Sequence, residues 1–120
     1  MDYKSYTKQH VGILVPQFTK GTHSQSEALQ TAVLELLEEQ ASQSSAPPLL
    51  LINLEQLSFI DSNFLGALVK CLKITIKKNG ELALCSLQAP VKSMFELTRL
   101  YNIFKIYNTE SEALNSLSKV

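Results

Sequence analysis

Leu49-Leu50-Leu51-Ile52-Asn53-Leu54, followed by Asp61-Ser62-Asn63-Phe64-Leu65-Gly66, decides how this chain folds. The first stretch is a continuous apolar run of strand length, which suits a central strand covered on both faces. After the second stretch a helical pattern begins, with apolar residues at Leu65, Leu68, Val69, Leu72 and Ile76. Leu57, Phe59 and Ile60 lead into Asp61, so a strand region passes into a helix at Asp61-Ser62-Asn63. Asn79-Gly80 ends that helix, and Lys77 and Lys78 suit its electronegative end.

Upstream, Val11 to Phe18 reads as a strand rich in branched apolar residues. Pro16 inside it predicts an edge position or a bulge. Tyr3 and Tyr6 suggest a short strand before it, and Lys20 to Ser26 a polar loop. Ala28, Leu29, Ala32, Val33, Leu36 and Leu37 then recur at helical spacing, opposite Gln30, Glu35, Glu38 and Glu39. Ser24 or Ser26 is the expected cap of this helix, and Ser24-x-x-Glu27 fits a capping box. A Ser/Gln/Pro linker, residues 42–48, breaks it.

Downstream, Leu82 to Leu87 is a short strand, and Pro90 opens a helix with Val91, Met94, Phe95 and Leu97 to Leu100 on its apolar side. Ile103 to Tyr107 is a last strand, and Thr109-x-x-Glu112 caps a last helix carrying Ala113, Leu114 and Leu117. The order β-β-α-β-α-β-α-β-α predicts an α/β layer architecture: a central, mostly parallel sheet with about four helices. The 120 residues fit one domain, residues 1–120.

Composition removes several function classes. Eleven basic and eleven acidic residues cancel, and Arg99 is the only arginine, which argues against nucleic acid as a partner. No apolar run approaches the roughly 20 residues of a spanning helix, and no clustered basic face favours a membrane surface. Met1 to Lys8 is polar and aromatic, unlike a signal peptide. Cys71 and Cys85 form no CxxC pair and have apolar neighbours, so buried thiols in the cytoplasm are expected. His10 and His23 lack companions at metal-ligand spacing. Gly12, Gly21, Gly66 and Gly80 form no phosphate loop. No paired carboxylates or Ser-His-Asp set is readable, so no cofactor and no enzymatic activity are expected.

From Leu49 to Ala113 the chain resembles the STAS domain family, named after sulfate transporters and anti-sigma factor antagonists. The resemblance rests on an ordered set of motifs. They are Asp61-Ser62-Asn63-Phe64-Leu65-Gly66, Gly80-Glu81-Leu82, Leu97-Thr98-Arg99-Leu100, Phe104-Lys105-Ile106-Tyr107 and Glu112-Ala113-Leu114. With no spanning segment in it, the chain is expected to be free-standing rather than the tail of a sulfate transporter. The resemblance then implies an anti-sigma factor antagonist, which binds an anti-sigma serine kinase when unphosphorylated and is released by phosphorylation. A PP2C-type phosphatase would reset it.

The family has Ser or Thr where Asn63 stands and Gly where Phe64 stands. Asn63 cannot accept a phosphate, so the resemblance implies Ser62 as the phosphoacceptor. The implied partner-binding residues are Asp61, Ser62, Asn63, Phe64, Gly66, Ala67 and Lys70. Each has a plainer reading: Asp61 and Ser62 as caps, Phe64 as core, Gly66 and Ala67 as aids to helix packing. Pro16-Gln17-Phe18-Thr19 stands where the family has Gly-x-Leu-Asp, so no first-loop contact to partner or nucleotide is carried over. The alternative function keeps the surface without the switch: a STAS adaptor in a stress-signalling assembly or an ABC-type lipid transporter. Oligomeric state, a homodimer included, is left open.

Overall fold

The computed structural model describes residues 2–118. Its main sheet has five strands: β1 (Tyr3–Lys8), β2 (Val11–Pro16), β4 (Leu49–Asn53), β6 (Glu81–Cys85) and β7 (Lys105–Tyr107). They lie in that order; β1 is antiparallel to β2, and the other neighbours are parallel. Two further strands, β3 (Lys20–Gly21) and β5 (Phe59–Ile60), pair in parallel beside it. The helices are α1 (His23–Gln43), α2 (Ser62–Lys77), α3 (Ala89–Leu97) and α4 (Glu110–Leu117), with a 3-10 turn at Leu100–Asn102.

Strand alternation sorts the apolar residues into two layers. Leu14, Leu50, Ile52, Leu82 and Leu84 face Leu29, Val33, Leu36 and Leu37 of α1, Leu65, Leu68, Cys71 and Leu72 of α2, and Val91 and Phe95 of α3. Val11, Ile13, Val15, Leu51, Ala83 and Cys85 face the other way, against Ala113, Leu114 and Leu117 of α4. The continuous run Leu49–Ile52 is therefore covered on both faces, as its composition predicts. Both cysteines are buried, which pushes the Cys71 thiol up to about 12 and the Cys85 thiol up to about 11.

Several boundaries move. Pro16 lies on a strand flanked on both sides, not at an edge. Its missing N–H is harmless because pairing with β4 stops at Leu14↔Ile52 and Pro16 closes the strand. The predicted strand Leu82 to Leu87 ends at Cys85, since Ser86 turns the chain at φ 62°. β7 begins at Lys105, because Ile103 closes the preceding 3-10 turn. The first helix runs through Gln43, which shortens the predicted linker to residues 44–48.

The Ser24/Glu27 capping box does not form. The helix starts earlier, at His23, with Thr22 as its cap. Gln25 Oε1 accepts from Thr22 N–H at 2.8 Å, and Ser26 Oγ donates to Thr22 O. At the last helix the prediction holds: Thr109 Oγ1 accepts from Glu112 N–H at 3.1 Å. α2 ends as expected, with Asn79 in the left-handed region at φ 62° and Gly80 N–H donating to Thr75 O at 3.0 Å.

One carboxylate holds α4 to the sheet. Glu110 Oε2 accepts from Tyr6 Oη at 2.8 Å and from Asn53 Nδ2 at 3.1 Å, so edge strand, central strand and helix meet there. Burial, then this bond, pushes the Tyr6 phenol up to about 12. The folded protein thus favours the neutral phenol. That contribution is whole below the ordinary tyrosine value near 10 and is lost as pH rises through about 12. Stability to urea should fall across this interval, and Tyr6→Phe should flatten part of the fall while lowering stability at pH 7.

Phe64 sits on Gly21. A Cβ at residue 21 would stand 2.9 Å from two carbons of the Phe64 ring, and Phe18 meets the same ring edge-on at 5.9 Å between centroids. Gly21→Ala should therefore destabilise the fold by about 1–3 kcal/mol, the usual cost of overpacking. Urea melts would measure it, and Gly21→Ala combined with Phe64→Leu should recover part of the loss.

Candidate functional site

The β3–β5 pair brings two helix starts together. Gly21 pairs with Ile60, and Asp61 N–H donates to Gly21 O at 2.9 Å. The next residue on each side opens its helix, α1 from the Thr22 cap and α2 from the Asp61 cap. Helix starts carry unpaired N–H groups and partial positive charge. Asp61 answers both: Oδ1 accepts from Phe64 N–H at 2.9 Å, and Oδ2 accepts from His23 N–H, the first residue of α1, at 3.1 Å. These donors, Phe64 first, then His23 and Asn63, hold the Asp61 carboxyl below the usual carboxylate range, against a smaller opposing effect of burial. The clamp is intact above the ordinary carboxylate value and loosens as pH falls below it.

Ser62 and Asn63 are the first exposed residues of α2. With Gly66, Ala67 and Lys70 they form one wall of an open groove of about 580 Å³. His23, Ser24, Ser26, Glu27 and Gln30 of α1 form the other wall. Spacing explains the α2 wall, since positions 62, 63, 66, 67 and 70 follow one helix face. The residues expected at a partner surface therefore separate into two groups. Ser62, Asn63, Gly66 and Lys70 are exposed on the groove, and Asp61 is half-buried just before Ser62 and does not itself line it.

Ala67 is almost wholly buried and lies at the floor of the groove. Phe64 is a correction: its side chain is fully buried against Phe18 and Gly21, so it offers no surface to a partner. Gly66 differs from Phe64 in being exposed. Nothing lies within 4 Å of a Cβ built there, so helix packing does not require glycine.

Sequence reasoning missed the α1 wall. A two-residue strand has no periodicity to read, and Lys20-Gly21 carries no apolar signal. Thr22-x-x-Gln25 would have marked the true helix start, and with it His23 and Glu27 beside Ser62. Among the described residues no cluster of three or more His, Cys, Asp or Glu side chains could hold a metal ion. No helix among them is long and apolar enough to cross a membrane.

Comparison with known proteins agrees with this architecture. An anti-sigma F factor antagonist of Paenibacillus polymyxa is 26% identical over 121 residues, an alignment covering 100% of this chain and 99% of that protein. The crystal structure of a putative anti-sigma factor antagonist from Thermotoga maritima superposes with a TM-score of 0.81 at 27% identity, covering 96% of this chain and 93% of that one. A STAS domain protein from Planctomyces limnophilus shares the fold at a TM-score of 0.84 and 24% identity, covering 98% and 99%. Residues 8–113, which hold the whole β3–β5 junction and both walls of the groove, match the STAS domain, and the chain belongs to the STAS domain family.

Proposed function

We propose that this protein is an anti-sigma factor antagonist-type regulatory module: it binds an anti-sigma serine kinase through the α1–α2 groove and is released when Ser62 is phosphorylated. The observation that carries the reading is the position of Ser62, exposed as the first residue of α2 and lining the groove beside the Asp61 clamp. The similarity to the Paenibacillus and Thermotoga proteins supports the same class.

The physics of a switch at this position is simple. A phosphate on Ser62 adds a charge of about −1.5 to −2 at a helix start, where the fold tolerates an anion. The same charge lies in the surface that a partner must dehydrate. Leaving it unpaired in an interface costs a few kcal/mol, and each 1.4 kcal/mol is tenfold in affinity. Binding is then lost without refolding. The kinase supplies the chemistry and a PP2C-type phosphatase the reversal, so this chain needs no catalytic group of its own.

The adaptor alternative draws on the departures at Asn63 and Phe64. The Phe64 ring fills core space above Gly21, so that departure changes packing and leaves the exposed wall as it was. Asn63 stays exposed on the groove wall, so that departure remains with the adaptor alternative, and phosphate mapping at Ser62 separates the two readings.

Incubation with the anti-sigma kinase and ATP, followed by peptide mass spectrometry, should place one phosphate on Ser62; modification elsewhere, or none, overturns the proposal. Ser62→Asp should weaken kinase binding about a hundredfold or more, whereas Ser62→Ala should bind normally and resist release. Gly66→Gln adds bulk to the groove and replaces a poor helix former. It should keep or slightly raise stability in urea while weakening kinase binding at least tenfold.

A further inference from the structure

We infer that the α1–α2 groove accepts its partner in one electrostatic orientation only, with a basic group of the partner against Glu27 and an acidic group against Lys70. The inference rests on the partner-binding reading above and adds the chemistry of the segment that is bound.

The two walls have opposite charge. α1 carries Glu27, Glu35, Glu38 and Glu39 and no Lys or Arg over its 21 residues. α2 carries Lys70, Lys73 and Lys77 and no Asp or Glu over its 16 residues. Glu27 and Lys70 are the members of these two sets that line the groove. Both are exposed, and the only ion pair among the described residues is elsewhere, between Lys105 and Glu81. The fold therefore leaves one carboxylate and one ammonium facing a shared groove without neutralising either.

Of the other lining residues His23, Ser24, Ser26, Gln30, Ser62 and Asn63 are polar, and only Gly66 and Ala67 are not. An apolar helix would strand these groups without water, so the occupant is a polar segment. Seated with its basic group towards α1 and its acidic group towards α2, it satisfies both walls. Seated the other way, it meets like charge on both walls and binds at least tenfold more weakly. Charge on opposite walls thus selects both the partner and its direction, and long-range attraction speeds the encounter at low salt.

The test uses the full chain and the purified anti-sigma kinase of the same organism, with association and dissociation followed by surface plasmon resonance at several salt concentrations. Glu27→Lys and Lys70→Glu should each weaken binding at least tenfold and reduce its salt dependence. The charge-matched controls on α3, Lys92→Glu and Glu96→Lys, should leave it unchanged. A kinase variant with one basic surface residue reversed should rescue Glu27→Lys and fail to rescue Lys70→Glu.

If wild type binds and both groove variants bind equally well, the orientation is wrong and the docking reading stands. If wild type does not bind the kinase at all, the functional reading fails and this inference with it. If the chain alone self-associates in sedimentation at low salt and Glu27→Lys abolishes that, the groove seats a second copy and the assignment of a kinase segment is overturned.

Discussion

Asp61 accepts hydrogen bonds from two helices at once, from Phe64 N–H in α2 through Oδ1 and from His23 N–H in α1 through Oδ2. The groove depends on this arrangement. Two helix starts side by side bring two partial positive charges together, and without an anion between them they would repel. The carboxylate removes that repulsion and fixes the separation of the starts in one step. Its own N–H is tied back to Gly21 O, so the clamp is anchored to the β3–β5 pair as well. Of the two sequence readings of Asp61, the cap is the one its hydrogen bonds show, and capping both helix starts is what shapes the groove.

Below the clamp, the core explains why the family's glycine can become Phe64 here. The ring lies where a side chain at residue 21 would be, and Phe18 and Tyr3 continue the edge-on stack at 5.9 and 5.4 Å. Bulk at one position is matched by its absence at the other. The α2 wall keeps its exposed line from Ser62 to Lys70 because the extra volume points inward. Gly66 is the counterpart on the surface, a residue that weakens its helix by about 0.5–1 kcal/mol relative to alanine and has open space above it.

How much of this was legible follows from length and periodicity. The run Leu49–Ile52, the 3.6-residue patterns of α1 and α2 and the Thr109 cap are each long or specific enough to read directly, and the mostly parallel character of the sheet follows from their alternation, whereas the order of its strands does not. The start of α1 was not legible, because Thr22-x-x-Gln25 and Ser24-x-x-Glu27 fit the same capping pattern. Tertiary structure chooses between them: the Gly21–Ile60 pairing and the Asp61 bond to His23 N–H pull the helix start two residues back. Pro16 misled for a similar reason. A proline is excluded from a ladder only where a donor is needed, and the partner strand β4 ends before reaching it. The α2 half of the groove came from the sequence, whereas the α1 half exists only through a two-residue strand that carries no signal.

The same geometry bears on how the proposed switch at Ser62 would act. α2 is pinned to the core by Leu65, Leu68, Cys71, Leu72 and Thr75 along its inner face, and Thr75 Oγ1 is satisfied by Cys71 O at 2.8 Å. A helix so held does not refold for one added charge at its exposed start, particularly one that its dipole favours. The Asp61 carboxylate already occupies the Phe64 and His23 donors, so a phosphate beside it would find those N–H groups taken and would remain directed towards the groove. Its effect therefore falls on whatever docks there. The clamp that organises the two helices also keeps the modification from being absorbed by the protein's own backbone, and a rigid surface with one altered charge is the simplest device for turning a binding site off.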